Sequence, residues 1–281
     1  MFKIIDKKRL TPLIYSLWVE APRIAASAKP GQFLIVRTGE NGERIPLTIC
    51  DFDTEKGTVR IVVQIAGVSS NKICHLNVGD CLTDVAGPLG KPSDFMEIPE
   101  EDLKDKRYLF VAGGVGSAPV YPQAKYLHER GAHMDVIIGA RNKDLIIMED
   151  EMRKVCTNLY ICTDDGSKGE KGVVTLLMER LGNKYDMCVA IGPMIMMKFA
   201  TLMAKKLGLP ITVSLNTLMV DGTGMCGACR VSVAGKTMFA CVDGPEFNGY
   251  DVDFDEALRR QTLYRTQEQQ ANAAAGLDLR R

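Results

Sequence analysis

Tyr108-Leu109-Phe110-Val111-Ala112-Gly113-Gly114-Val115-Gly116-Ser117-Ala118-Pro119 reads as an apolar strand that runs straight into a turn of small residues. Glycines at such a turn let backbone amides and the N-terminus of a following helix approach an anion such as a pyrophosphate. The dinucleotide fingerprint is incomplete: Pro119 replaces the third glycine of G-x-G-x-x-G, and Gly139-Ala140-Arg141 stands where an acid would end the next strand. Taken alone, the stretch suits a plain tight turn equally well. Its surroundings raise the nucleotide reading. Residues 135–138, 159–162, 187–191 and 211–215 are strand-like, and segments 120–130, 173–181 and 194–207 between them have helical texture. Strands alternating with helices predict βαβ units around a parallel sheet.

Upstream the texture differs. Short, partly alternating apolar runs at 14–19, 32–36, 58–65 and 81–85 are broken by Lys29-Pro30-Gly31, Asn41-Gly42 and Asn77-Val78-Gly79-Asp80, which predicts an antiparallel barrel or sandwich. The fold class is therefore a β barrel or sandwich plus α/β. The boundaries are this β-rich part over 1–100, a nucleotide-binding α/β domain over 105–216, a small cysteine loop domain over 217–250, and a polar, helix-prone tail over 251–281. Phe254, Leu258 and Leu263 are the tail's candidate anchors, and its last dozen residues are expected to be disordered.

With 281 residues, 46% hydrophobic and 25% charged, the chain is long enough for real cores and has ordinary globular composition. Lys plus Arg and Asp plus Glu are 35 each, so no bulk field recruits nucleic acid or an anionic membrane. The longest uncharged run, 108–124, is broken by three glycines and two prolines and suits a strand and turn rather than a membrane span. Asp6-Lys7-Lys8-Arg9 interrupts any apolar leader, so the cytoplasm is the expected compartment. Reduced thiols are expected there, which makes the nine cysteines core fillers, metal ligands or reactive groups.

Three of those cysteines, Cys226, Cys229 and Cys241, form C-x2-C-x11-C in a segment rich in glycine. An iron-sulfur cluster needs thiolates on a tight backbone whose amides reach the sulfurs, and glycine permits that approach. The plant-type pattern begins C-x4-C-x2-C, and Asp221 occupies its first position. A redox pair or a zinc knuckle, with Cys241 incidental, is the competing reading. Asp221 itself is either a ligand or a cap that accepts backbone amides of the loop.

Arg44-Ile45-Pro46-Leu47-Thr48 is ordinary edge-strand sequence by itself, yet an arginine can clamp a diphosphate and a hydroxyl beyond the proline can meet a flavin ring nitrogen. In company it says more. R-x-P-L-T, then Gly87-Pro88-Leu89-Gly90, then the 113–119 turn, then Gly192-Pro193-Met194-Ile195-Met196, then the cysteine loop, resembles the ferredoxin-NADP reductase superfamily over almost the whole chain. The loop is similar to that of the dihydroorotate dehydrogenase B electron-transfer subunits. Its segments D-G-T-G-M-C-G-A-C and C-V-D-G-P-E-F, followed by V-D-F-D-E, most resemble the small subunits of NADH-dependent reduced ferredoxin:NADP oxidoreductases, in which aspartate holds the first ligand position.

The resemblance implies FAD in the barrel, with Arg44 at its diphosphate, Pro46, Leu47 and the catalytic candidate Thr48 along its ring and ribityl chain, and Gly67, Val68, Ser69 and Ser70 near its phosphates. It implies a nicotinamide nucleotide over Gly113, Gly114, Gly116, Ser117 and Pro119, with Gly192, Pro193 and Met196 opposite. Asp221, Cys226, Cys229 and Cys241 would hold a 2Fe-2S cluster. Arg141 and Asp165 lie in loops at the carboxyl ends of strands, where ligands meet parallel sheets, although Asp164-Asp165-Gly166-Ser167 also suits an acidic turn. The family branch implies NAD(H), whereas Arg141 leaves NADP(H) open. Many relatives carry cysteine before the last G-P motif, but here the residue is Ile191, so no thiol is assigned beside the nicotinamide.

Hydride transfer moves two electrons and a cluster takes one, so a flavin between them is the required converter. The implied function is an electron-transfer oxidoreductase subunit in a heterodimer with a larger flavin and iron-sulfur subunit, bifurcating electrons and reaching ferredoxin through that complex. The alternatives are an electron-transfer subunit of dihydroorotate dehydrogenase or sulfide dehydrogenase and, from another class, an iron-sulfur scaffold or sensor that binds a nucleotide without turnover.

Overall fold

The computed structural model describes residues 1–277. Seven antiparallel strands, β1 (Phe2–Thr11), β2 (Ile14–Glu20), β3 (Phe33–Arg37), β4 (Ile45–Asp53), β5 (Thr58–Gln64), β6 (Cys81–Leu82) and β7 (Asp84–Leu89), are ordered β6-β1-β2-β5-β4-β3-β7. The two outermost strands are separated only by Thr83, whose N–H donates to the Arg37 carbonyl at 2.9 Å. One extended segment therefore pairs with β1 on one side and β3 on the other, and the sheet curls into a nearly closed barrel without a long free edge. Ile4, Leu17, Leu34, Val36, Ile49, Ile61 and Val63 fill it. The period of two in β3 sends Leu34 and Val36 inward, while Phe33 and Ile35 join a second core shared with Leu109, Met194, Cys229 and Cys241.

The second sheet uses β8 (Arg107–Gly113), β9 (His133–Ala140), β10 (Asn158–Thr163), β11 (Glu170–Lys171), β12 (Met187–Ile191) and β13 (Ile211–Ser214). After a hairpin of β14 (Arg230–Val233) and β15 (Lys236–Phe239), β16 (Glu246–Asn248) returns to it, giving the order β11-β10-β9-β8-β12-β13-β16. All neighbours are parallel except β16, which runs antiparallel to β13. The chain winds outward through β9 and β10 and then returns past β8 to β12 and β13. The reversal lies between the carboxyl ends of β8 and β12, where open α/β sheets bind ligands.

The predicted barrel and parallel sheet are both present. The expected helix over 194–207 and strand over 187–191 coincide with Met194–Leu207 and Met187–Ile191. The helix after the glycine turn is Ser117–Glu129 and begins earlier than expected, because a proline in the first turn lacks only an N–H that has no intrahelical acceptor. β4 is an interior strand flanked by β3 and β5, not an edge.

Sequence patterning misses β1, whose five charged residues hide the single core anchor Ile4, and the helix Val68–His75. In the tail, Phe254 is buried and Leu258 packs against the same core, but Leu263 is 55% exposed and anchors nothing. The stretch expected to be disordered is helical up to Ala274, in the helix Arg265–Ala274, and residues 278–281 lie outside the described residues. No helix among the described residues is long and apolar enough to cross a membrane.

Ile14, Cys50 and Val62 of the barrel pack with Ala118, Ile147 and Met148 of the α/β part. Ion pairs Arg60–Glu151 at 2.6 Å and Lys125–Asp51 at 2.9 Å flank that seam. The glycine turn is thereby set directly against the barrel wall, with Val115 on the same cluster.

Candidate functional site

Gly113 ends β8 and Gly192 follows β12, so both stand at the sheet's reversal. A Cβ on Gly113 would strike Met196 Sδ and Pro193 Cδ, one on Gly116 would strike the Ile191 carbonyl, and one on Gly192 would lie 2.9 Å from Met196 Cε. These three glycines let the two turns touch. Gly114 differs: its φ is +55° and a Cβ there would meet nothing within 4 Å. Residues 114–116 make a single 3-10 turn into the Ser117–Glu129 helix, and the Ser117 hydroxyl donates to the Gly114 carbonyl at 3.2 Å. Pro119 lies in the first turn of that helix, which has no acidic side chain to compete for its N–H groups.

At the far side of this edge, the Asp165 N–H donates to the Arg141 carbonyl at 3.3 Å and its carboxylate accepts the Ser167 N–H at 2.9 Å. The Ser167 hydroxyl and amide hold the Asp165 carboxyl below the usual range. Arg141 and Asp165 are thus neighbouring exposed residues of two adjacent loops.

In the barrel, Pro46, Leu47 and Thr48 of β4 pair with Ile35, Leu34 and Phe33, which leaves these three half-buried. Gly67 precedes the helix Val68–His75, and the Ser70 hydroxyl accepts the Ala66 and Gly67 N–H groups at 2.9 and 3.0 Å. The Ser69 hydroxyl donates to the Glu43 carboxylate. The first N–H groups of a helix lack intrahelical acceptors, as a phosphate cradle requires, and residues 67–70 are half-buried. A side-chain oxygen of Asn272, in the tail helix, lies 3.6 Å from where a Cβ of Gly67 would stand.

The cysteine loop closes on itself through Asp221. Its carboxylate accepts the Thr223 N–H at 2.7 Å and the Cys226 N–H at 2.8 Å, and these amides, Thr223 foremost, hold the carboxyl below its usual range. Gly222, Gly224 and Gly227 adopt φ of +77°, +83° and +65°, which the sharp turns of the loop demand. The sulfurs of Cys229 and Cys241 are buried 3.2 Å apart, while Cys226 is exposed on the same loop. Burial and the Cys229 thiol push the Cys241 thiol up to about 12, against an N–H from Gly224. Among the described residues no three such groups gather into a closed metal cage. The donor set nevertheless fits a cluster: two thiols converge, a third lies three residues upstream, and an amide already points at sulfur. Each carboxylate oxygen of Asp221 has a second lone pair, so capping and ligation are compatible.

Glu246 carries no local sequence signal of its own, although its segment is among those that carry the family resemblance. Its Oε1 accepts Gln123 Nε2 at 2.7 Å and the Ser93 hydroxyl at 3.2 Å, which joins β16, the Ser117–Glu129 helix and the end of the barrel. Burial raises its carboxyl to about 7, helped by Asp94 and opposed by the bonds from Ser93 and Gln123. A carboxyl raised on folding stabilises fully below its unfolded value and loses that contribution as pH rises through about 7. Wild-type thermal stability should therefore fall as pH rises from about 4.5 to about 7, and Glu246→Gln should remove that part of the fall. Melting by circular dichroism at both pH values checks this; equal slopes in the two proteins would contradict it.

Residues 110–201 match the oxidoreductase NAD-binding domain, and residues 216–253 match the iron-sulfur cluster binding domain of dihydroorotate dehydrogenase B. A dihydroorotate dehydrogenase B (NAD(+)) electron transfer subunit homolog from Thermotoga maritima is 47% identical over 268 residues, covering 95% of this chain and 92% of the relative. The chain belongs to this family of electron transfer subunits. The electron transfer subunit of Geobacillus thermodenitrificans is 32% identical over 255 residues and is covered to 96% of its length. A solved structure of this family's fold, from work on flavin-based electron bifurcation in the NADH-dependent reduced ferredoxin-NADP oxidoreductase, superposes with a TM-score of 0.89 at 45% identity. The match covers 98% of this chain and 97% of that one. The family's NAD-binding match contains the 113–119 turn, Arg141, Asp165 and Gly192-Pro193-Met196, and its cluster-binding match contains Asp221 and all three loop cysteines.

Proposed function

We propose that this chain is an electron-transfer flavoprotein subunit that moves electrons between NAD(H), FAD and a 2Fe-2S cluster and exchanges them with a larger flavin and iron-sulfur subunit. The complex we infer is an NADH-dependent reduced ferredoxin:NADP oxidoreductase of the bifurcating kind. One observation carries the reading: the nucleotide turn packs on the barrel through Val115 and Ala118, and the cysteine loop reaches the same barrel through Arg44, whose Nε donates to the Val220 carbonyl at 3.0 Å. Both candidate sites thus rest on the barrel proposed to hold the flavin.

A flavin held here would supply the conversion between two-electron hydride chemistry and one-electron transfer to a cluster. The chain's own residues position the partners. The open side of Gly114 and the amides leading into Ser117 and Pro119 receive the pyrophosphate of the nucleotide, with Gly113, Gly116, Gly192, Pro193 and Met196 shaping the wall. Arg44 and the Gly67, Val68, Ser69 and Ser70 turn would hold the FAD diphosphate, Pro46 and Leu47 would lie along its ring and ribityl chain, and the Thr48 hydroxyl would supply a hydrogen bond to it. Asp221, Cys226, Cys229 and Cys241 hold the iron. Arg141 and Asp165 border the ribose side of the crevice, and the nucleotide assigned is NAD(H) from the family.

A dihydroorotate dehydrogenase subunit is the second reading, favoured by the family's name; aspartate in place of the first ligand cysteine argues against it. The test is a visible spectrum of the chain loaded with FAD and iron, before and after NADH. Flavin bleaching followed by cluster reduction is expected. Absorption unchanged by NADH would replace this reading with a passive scaffold.

A further inference from the structure

We propose that Glu43-Arg44 is a strut that fixes the cysteine loop to the flavin side of the barrel, and that Arg44 is a positioning residue for the cluster as well as for FAD. The inference rests on the function proposed above and extends it to a residue whose expected role was the diphosphate alone. The Arg44 guanidinium spans 176 residues to reach the loop: Nε donates to the Val220 carbonyl at 3.0 Å and Nη2 to the Asp221 carbonyl at 3.4 Å. The preceding residue is tied the other way, since the Glu43 carboxylate accepts from Ser69 at the N-terminal turn of the Val68–His75 helix.

The loop is seated where the strut meets it. A Cβ on Gly222 would lie 2.7 Å from Ile35 and 2.8 Å from Leu89, so the backbone after Asp221 lies flush on strands β3 and β7 of the barrel. The side chain of Asp221 then holds the Thr223 and Cys226 amides. Arg44 therefore grips the carbonyl of the very residue whose carboxylate sets the conformation of Cys226. A guanidinium carries five N–H donors, and two serve the loop, which leaves others for a diphosphate. Charge-assisted bonds to carbonyl oxygens are stronger than neutral ones, and lysine, a point donor on a flexible stem, cannot reproduce the fork.

The experiment compares wild type, Arg44→Ala, Arg44→Lys and Glu43→Gln by amide hydrogen exchange across residues 218–229. It adds EPR of the cluster reduced with dithionite, so that no step depends on NADH, and flavin per chain after gel filtration. Arg44→Ala should speed exchange at Thr223 and Cys226 by about tenfold and shift the EPR g-values. Arg44→Lys should fall between it and wild type, and Glu43→Gln should loosen the Ser69 turn with a smaller effect on the loop. If Arg44→Ala loses flavin while loop exchange and g-values stay at wild-type values, Arg44 serves FAD alone and the strut is wrong. Should Arg44→Ala fail to fold, the Arg44→Lys exchange pattern decides in the same way. A wild-type chain without any iron-sulfur EPR signal would overturn the proposed function instead, and exchange in that cluster-free protein would still judge the strut.

Discussion

Gly114→Val is expected to leave FAD bound and the fold intact while lowering the second-order rate of flavin bleaching by NADH at least ~100-fold, the loss of about two charge-assisted contacts to a pyrophosphate. Gly114 has φ of +55°, a region that a β-branched residue adopts only with strain, and its missing side chain faces open space at the sheet's reversal. Valine would fill that space or pull the turn out of the left-handed region, and either change moves the amides proposed to receive the nucleotide. The neighbouring glycines are informative controls. Gly116→Ala drives a Cβ into the Ile191 carbonyl and Gly113→Ala into Met196 and Pro193, so both should melt early rather than fold and fail to bind. Stopped-flow bleaching at several NADH concentrations separates the outcomes. A wild-type rate and affinity in Gly114→Val would show that the turn only connects strand to helix.

Asp221→Ala should strip the chain of most of its iron during gel filtration, because it removes both a candidate ligand and the acceptor that holds the Thr223 and Cys226 amides. Asp221→Cys separates the two roles. A thiolate carries the same charge as a carboxylate but is a softer, more covalent donor. If Asp221 ligates iron, Asp221→Cys keeps a 2Fe-2S cluster with altered EPR g-values and potential. If Asp221 only caps the loop, the cysteine cannot accept both amides in the same way: the cluster should become labile as in Asp221→Ala, and any that survives should show the wild-type spectrum. Iron per chain and EPR of the dithionite-reduced protein read both variants. In the structure the carboxylate visibly caps the loop, so a result in favour of ligation would mean that one side chain does both.

The contrast between what was legible and what was not follows the range of the interactions. The strand Met187–Ile191 and the helix Met194–Leu207 are legible to the residue because Gly192-Pro193 and Gly208 punctuate them locally. β16 was invisible, since three residues gain strand character only by pairing with β13, and β1 was hidden by charges that face solvent in the barrel. Of the candidate site, the glycine turn and the cysteine spacing were readable because each is a short contiguous pattern with a chemical reason behind it. Glu246, by contrast, has no local signal: burial by distant segments and the nearby Asp94 raise its proton affinity against the hydrogen bonds from Gln123 and Ser93.

By itself, then, the sequence determined the two-part architecture, the order of the sites along the chain and the chemistry of their side chains, because periodicity, turn residues and ligand spacing act over a few residues. Only the tertiary structure decided which glycines pack and which one faces the crevice, that the Asp221 carboxylate already holds two amides, and that Arg44 reaches Val220 and Asp221. Those facts depend on how barrel, sheet and loop are brought together. That is set by burial of Phe33, Ile35 and Leu89 against segments far away in the chain, which no local pattern encodes.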